Sequence, residues 1–123
     1  MFSTKKSAGR HLILDVREIP NTDMLTDKET MLKLMDVICE MLDLTIINKN
    51  HHQFSNGAIT AIYMLGESHI SIHTFPERAH VAFDLFTCHE YESDKELQDT
   101  AGFIITILEG SLKSDFRIIN RKF

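Results

Sequence analysis

A short polar stretch near the middle of the chain concentrates side chains that can do chemistry. Between Glu67 and Pro76 it holds one carboxylate, three hydroxyls and two imidazoles, flanked by apolar runs. From Ser68 to Thr74, isoleucines alternate with polar residues at a period of two, which predicts a strand with two unlike faces. We expect His69, Ser71 and His73 on one face and the even-numbered residues on the other.

A metal site is the first chemistry these residues suggest, and their spacing argues against it. At about 3.3 Å per residue, His69 and His73 lie roughly 13 Å apart along a strand, too far to share one ion. Two histidines four apart can bind zinc together on a helix, but Pro76 and the alternating isoleucines disfavour a helix here. The sequence therefore predicts no metal.

Hydrolysis by an activated serine is the second possibility. Ser68 lies between Glu67 and His69 rather than in a Gly-x-Ser-x-Gly elbow. On one straight strand Ser68 and His73 face opposite sides, which disfavours a direct hydroxyl–imidazole pair within the chain.

Self-cleavage before Ser68 is the third possibility. The hydroxyl can attack the preceding carbonyl to make an ester, and loss of the α-proton then expels the carboxylate. The dehydroalanine left behind hydrolyses to a pyruvoyl group, which can form a Schiff base with an amine and accept electrons as pyridoxal phosphate does. The residues alone do not separate this chemistry from an ordinary strand serine.

The flanking sequence predicts a single α/β (α+β) domain. Apolar stripes at helical spacing follow two capping boxes, Thr26–Glu29 and Ser93–Glu96. Asn56-Gly57 marks a hairpin turn. The expected order is strand 9–17, helix 26–42, strands 44–54, 58–65, 68–75 and 81–88, helix 93–110 and strand 116–120. Strand 58–65 is apolar on both faces and is predicted to be central.

Strands joined by hairpins make a mainly antiparallel sheet, and two one-sided helices would cover one of its faces in a two-layer sandwich. The other face would carry His69, Ser71 and His73 among apolar groups. Such a mixed face predicts a homodimer in which a partner sheet covers it.

Bulk properties exclude several classes of protein. The 123 residues, 43% apolar and 25% charged, suit one soluble globular domain. A net charge of −5 disfavours a nucleic-acid partner, and no apolar run is long enough to predict a membrane span. The N-terminal lysines lack a following apolar segment, so we expect a cytoplasmic protein with Cys39 and Cys88 as free thiols.

The stretch Glu67–Glu77 closely resembles the processing site of the prokaryotic-type S-adenosylmethionine decarboxylase proenzymes. The resemblance extends through Asp84-Leu85-Phe86-Thr87-Cys88 and back to Gly9-Arg10-His11-Leu12, so it spans most of the chain. It implies self-cleavage between Glu67 and Ser68 into a β chain of residues 1–67 and an α chain of residues 68–123. Ser68 would become the pyruvoyl cofactor, which removes carbon dioxide from S-adenosylmethionine and so supplies the aminopropyl donor for spermidine synthesis.

The resemblance also implies roles for the surrounding residues. His73 and Thr60 match residues that serve processing, and Cys88 matches a cysteine proposed to return a proton to the product. Phe54 matches an aromatic that stacks on adenine, and Glu77 a carboxylate that can hold the ribose hydroxyls. The family builds these sites across a dimer interface, so His73 is expected to serve the partner's Ser68.

Three departures from the family pattern bear on the substrate. Thr60 replaces a commoner serine, Phe75 stands where tryptophan or tyrosine is frequent, and residues 55–58 lack the usual proline. The alternatives are a pyruvoyl-dependent decarboxylase of arginine or ornithine, or a regulatory paralogue that stays uncleaved.

Overall fold

The computed structural model describes residues 6–123. The polar sequence of residues 1–8 predicts a loose N-terminus; residues 1–5 lie outside the described residues, and the first strand already begins at Ser7. Six strands and two α-helices follow in the predicted order: β1 Ser7–Val16, α1 Lys28–Met41, β2 Ile46–Gln53, β3 Ile59–Leu65, β4 Ser68–Phe75, β5 His80–Thr87, α2 Lys95–Ile107 and β6 Asp115–Lys122. Short 3₁₀ turns at Thr22–Thr26 and Pro76–Arg78 lead into α1 and β5.

The six strands form one antiparallel sheet in the order β2-β3-β4-β5-β1-β6. The β2-β3-β4-β5 meander is contiguous, and the N-terminal strand β1 pairs with β5 on one side and β6 on the other. Strand β4, which carries the polar stretch, is thus hydrogen bonded along both edges.

Both helices pack on the same face of the sheet, which confirms the two-layer sandwich. α1 contributes Met31, Leu34, Met35, Ile38 and Cys39 to the core. α2 contributes Leu97, Thr100, Ala101 and Ile104. The sheet meets them with alternate residues of its inner strands, and these are almost fully buried: Leu12, Leu14, Val16, Ile59, Ala61, Tyr63, Leu65, Ile70, Ile72, Val81, Phe83 and Leu85.

Both predicted helix caps are wrong by one residue. α1 is capped by Asp27, whose carboxylate accepts the Thr30 N–H, while the Thr26 hydroxyl donates to the Asp23 carbonyl. α2 begins after Asp94, and the Ser93 hydroxyl accepts the Lys95 N–H. Serine, threonine and aspartate are all favourable N-cap residues. The local sequence therefore does not decide between Thr26 and Asp27, or between Ser93 and Asp94.

The stop predicted at Gly110 also falls one residue earlier. Glu109 takes the left-handed conformation there, with φ +55°. Gly110 serves close packing instead, since a Cβ on it would lie 2.4 Å from the Val16 side chain.

The second sheet face is open, as predicted from the strand pattern. It presents Thr60, Ile62 and Met64 of β3 beside His69, Ser71 and His73 of β4. β3 is paired along both edges, as its predicted central position requires, but the apolar residues of its outer face are exposed: Ile62 is 47% exposed and Met64 58%. β3 lies next to the edge strand β2, and its apolar outer face has no cover among the described residues.

Core packing gives the first testable prediction. Phe83 is fully buried between the sheet and the helices, so Phe83→Ala should lower the free energy of unfolding by about 3–5 kcal/mol. Leu112 is fully exposed, and Leu112→Ala should change that free energy by less than about 0.5 kcal/mol. Urea unfolding followed by circular dichroism measures both, and equal losses would contradict this description of the core.

Candidate active site

Ser68 lies at the corner of the hairpin that joins β3 to β4. Gly66 and Glu67 form its two-residue turn, because Leu65 pairs with Ser68 in the ladder. Ser68 has φ +146°, a conformation that residues with a side chain rarely adopt. Such strain costs on the order of 1–3 kcal/mol and persists only where surrounding contacts enforce it. The backbone is therefore strained at the residue on which the predicted cleavage depends.

The carbonyl group of Glu67, which precedes Ser68, is hydrogen bonded to the residue that follows β5. The Cys88 backbone N–H donates to the Glu67 carbonyl oxygen at 2.8 Å. This oxygen would become negatively charged if the Ser68 hydroxyl attacked its carbon, and a fixed N–H donor stabilises such an oxyanion. The Cys88 side chain is exposed, and it lines an open pocket of about 310 Å³ together with Arg10, His89 and Tyr91.

Gly9 lets β1 approach this end of β5. Its φ is +137°, and a Cβ at this position would lie 2.5 Å from the Thr87 carbonyl oxygen and 3.0 Å from the Cys88 Cα. A side chain at residue 9 would thus displace the segment that carries the Cys88 N–H.

The Glu67 carboxylate is bound in the same turn. It accepts the Thr45 backbone N–H at 2.9 Å and the Thr45 hydroxyl at 3.4 Å. The Thr45 carbonyl in turn accepts the Gly66 N–H at 2.8 Å. Both turn residues before Ser68 are consequently tied to the segment that leads into β2.

A second cluster lies at the far end of β4. Thr60 and His73 face each other across the β3–β4 ladder, with 3.1 Å between Thr60 Oγ1 and His73 Nδ1. This contact orients the imidazole on the open face. A pocket of about 530 Å³ adjoins the pair and is lined by Phe54, Phe75 and Glu77 as well. Five of the residues singled out in the sequence or its departures thus meet in one place.

Ser68 and His73 are well separated within the chain. Five residues of extended strand place them roughly 16 Å apart along β4. Ser68 pairs with Leu65 and Thr87, which point toward the helices, whereas His73 pairs with Thr60 and Ala82 on the open face. The chain therefore carries two groups of site residues, Ser68 with Cys88 and Thr60 with His73, at opposite ends of one strand.

Two imidazole–carboxylate pairs bridge the open face between these groups. His11 Nε2 lies 3.0 Å from Asp84 Oδ1, and His80 Nε2 lies 2.8 Å from Asp15 Oδ1. Each pair joins β1 to β5, so it fixes polar side chains beside β4.

Burial shifts the pKa of one thiol, Cys39, and of one phenol, Tyr91. It raises the pKa of the Cys39 thiol to about 11, with the neighbouring Asp36 carboxylate acting in the same direction. Burial also raises the pKa of the Tyr91 phenol above its ordinary value. At neutral pH both groups are protonated.

Within residues 6–123, no group of three or more histidine, cysteine, aspartate or glutamate side chains is arranged to hold a metal ion. In the same part of the chain, no helix has the length and apolar character needed to span a membrane.

The fold and the site define an α+β sandwich in which one central strand carries site residues at both ends. The family model for S-adenosylmethionine decarboxylase matches residues 10–114. The chain therefore belongs to the S-adenosylmethionine decarboxylase family.

Individual relatives agree with this assignment. The chain is 40% identical over 83 residues to the S-adenosylmethionine decarboxylase proenzyme of Clostridium botulinum (strain Loch Maree / Type A3), covering 68% of this chain and 71% of the relative. The proenzyme of Brevibacillus brevis is 39% identical over 82 residues, covering 67% of this chain and 61% of the relative. The crystal structure of the adenosylmethionine decarboxylase from Aquifex aeolicus VF5 superposes with a TM-score of 0.82 at 27% identity, covering 97% and 94% of the two chains.

Sequence reasoning missed the contact between Thr45 and Glu67. The two residues are 22 positions apart, and no local pattern links them. The register of β2 against β3, with its irregularity between Ile46 and Asn48, brings Thr45 beside the hairpin turn. Only that pairing could have revealed the contact.

The difference between the two thiols gives a second testable prediction. A raised pKa leaves less thiolate at pH 8, and Cys39 is also buried, so iodoacetamide should alkylate the exposed Cys88 and spare Cys39. Intact-mass analysis should find one adduct in the native protein and two after unfolding. Equal alkylation of both thiols in the native protein would contradict the burial of Cys39.

Proposed function

We propose that the chain cleaves itself between Glu67 and Ser68 and then decarboxylates S-adenosylmethionine with the pyruvoyl group made from Ser68. The observation that carries the proposal is the geometry of this one peptide bond. Its serine has a strained φ, and its carbonyl oxygen accepts the Cys88 N–H at 2.8 Å. These features suit attack by the Ser68 hydroxyl on the Glu67 carbonyl.

In the proposed self-cleavage, the nucleophile and the attacked carbonyl belong to two adjacent residues, Ser68 and Glu67. The Ser68 Oγ bonds to the Glu67 carbonyl carbon, and the C–N bond breaks to leave an ester and a free amine. Removal of the Ser68 α-proton then expels the Glu67 carboxylate, and water replaces the nitrogen, which leaves as ammonia. The partner's His73 is the proposed base for the α-proton, since His73 of the same chain lies about 16 Å away along β4, and Thr60 orients the imidazole through the 3.1 Å contact.

Substrate binding is assigned to the pocket beside His73. Phe54 is 50% exposed and lines this pocket, where its ring can stack on an adenine. The Glu77 carboxylate lines the same pocket and can accept two hydroxyl hydrogen bonds from a ribose. An aromatic platform beside one carboxylate fits an adenosyl group better than a plain basic amino acid.

The decarboxylation itself depends on the groups around residue 68. A pyruvoyl group supplies an electrophilic carbonyl that binds the substrate amine and takes up the electron pair released with carbon dioxide. Cys88 lies next to this position, and its exposed thiol is the proposed proton donor to the product. This chemistry needs no metal ion.

A homodimer would unite the two groups of site residues. A two-fold axis between two facing sheets and perpendicular to β4 places the Ser68 end of one strand over the His73 end of its partner. The exposed Ile62 and Met64 on this face would be buried in the same contact. We therefore assign the dimer interface to the open sheet face.

This function places the chain in the cytoplasm, where it produces decarboxylated S-adenosylmethionine, the aminopropyl donor for spermidine synthesis. The assignment rests on the pyruvoyl chemistry and adenosyl pocket proposed above.

Intact-mass analysis of the purified protein tests self-cleavage. We expect two fragments, residues 1–67 and 68–123, with the second blocked to N-terminal sequencing by its pyruvoyl group. Ser68→Ala should remain a single chain because it lacks the attacking hydroxyl. A single uncut 14.2 kDa species from the unchanged sequence would overturn the proposal and indicate a regulatory protein.

Release of labelled carbon dioxide tests the substrate. The cleaved protein should act on S-adenosylmethionine and not on arginine or ornithine, and Phe54→Ala should raise KM by about tenfold as the stacking surface is lost. Release from arginine or ornithine alone would reassign the substrate while leaving the self-cleavage intact.

Co-expression of two inactive variants tests the shared sites. Ser68→Ala lacks the cofactor precursor and His73→Ala lacks the processing base, so each alone should be inactive. In a random mixture half of the dimers are mixed and each has one complete site, so about a quarter of the wild-type cleavage should return. No recovery would contradict sites shared between chains.

A further inference from the structure

We infer that Thr45 is a positioning residue for self-cleavage, because it fixes the turn that presents the Glu67–Ser68 bond to attack. This inference rests on the proposed function and extends it to a residue outside the sequence motif. Thr45 makes these contacts with Gly66 and Glu67, and we call the three hydrogen-bonded residues the turn clamp.

The turn clamp has three hydrogen bonds. Thr45 donates its N–H to Glu67 Oε1 at 2.9 Å and its hydroxyl to Oε2 at 3.4 Å. It accepts the Gly66 N–H on its carbonyl at 2.8 Å. Bonds to a carboxylate are charge-assisted and stronger than those between neutral groups. One residue therefore restrains both the backbone and the side chain of the turn.

A second anchor acts on the carbonyl of the bond that breaks. The Cys88 N–H holds the Glu67 carbonyl oxygen, so Glu67 is bound through its side chain by Thr45 and through its main chain by β5. These contacts immobilise Gly66 and Glu67, and so they keep Ser68 at φ +146°. Residues held in rare conformations need such surrounding contacts, since otherwise the chain relaxes.

The consequence is kinetic. Attack requires the Ser68 hydroxyl to lie within about 3–3.5 Å of the Glu67 carbonyl carbon with the right approach, and a relaxed turn would populate that arrangement less often. The turn clamp restrains the two residues that precede the attacked bond, so it should affect formation of the ester rather than removal of the Ser68 α-proton. This separates its effect from that of the processing base.

The experiment follows cleavage of freshly translated proenzyme by pulse-chase labelling. Thr45→Val keeps the N–H but removes the hydroxyl, and we expect it to slow cleavage by about threefold. Glu67→Ala removes both side-chain bonds and should slow cleavage by at least about tenfold. Thr45→Ser, which retains the hydroxyl, should stay within about twofold of wild type. The double variant Thr45→Val/Glu67→Ala should be no slower than Glu67→Ala, since the contact is already absent.

Matched controls use exposed residues away from the turn. Thr106→Val on α2 and Glu40→Ala on α1 make the same chemical changes and should cleave at the wild-type rate. Thermal unfolding of Thr45→Val in a Ser68→Ala background, which stays uncut, reports any loss of stability separately from the rate. A rate loss matched by Thr106→Val, or fully explained by global unfolding, would overturn the inference.

Hydroxylamine identifies the step that is slowed, because it cleaves esters and leaves amides intact. Slow variants should accumulate uncut amide that resists hydroxylamine, whereas accumulation of a hydroxylamine-sensitive ester would place the defect later and refute the assigned step. If wild type cleaves and Thr45→Val and Glu67→Ala match its rate, the turn clamp has no role. If wild type itself never cleaves, the proposed function fails instead.

Discussion

The double pairing of β4 is the constraint on which the site depends. Hydrogen bonds to β3 and β5 fix the register of this strand on both sides, and Ile70, Ile72 and Thr74 are buried against the helices. A slip by one residue would turn these side chains outward and bring His69 and His73 into the core, which the buried apolar layer prohibits. The burial of these three residues therefore fixes the face of β4 on which His69, Ser71 and His73 lie.

The same constraint keeps the two groups of candidate site residues apart within one chain. An extended strand cannot bring its two ends together, so Ser68 and His73 stay about 16 Å apart whatever rotamers they adopt. The open face then has two kinds of surface: apolar side chains on β3 and imidazole–carboxylate pairs between β1 and β5. A second sheet with the opposite strand direction, as in the proposed homodimer, would satisfy both requirements, since it would cover the apolar groups and bring the other end of β4 to each site.

The sequence predicts much of this because period-two and helical patterns reflect burial directly. All six strands, both helices and the faces of β4 and β5 follow from that pattern. The caps at Thr26 and Ser93 were misplaced because neighbouring residues compete for the same role with similar energies. Thr45 was missed for a different reason: its contact with Glu67 depends on how β2 aligns with β3, and β2 is almost wholly exposed, so no buried pattern reveals its register.

Strain at Ser68 can assist the self-cleavage but cannot drive it alone. Rotation about the Ser68 N–Cα bond becomes free once the amide is converted to the ester. The backbone strain at Ser68, on the order of 1–3 kcal/mol, would then be released. At about 1.4 kcal/mol per factor of ten, that release would favour the ester by roughly five- to 150-fold. An amide is much more stable than an ester, so in the proposed reaction the Cys88 N–H must still stabilise the oxyanion and an irreversible elimination must consume the ester. Strain, oxyanion donor and base would act at successive steps, which is why they need not lie together: Ser68 and His73 are at opposite ends of β4, and Cys88 follows β5.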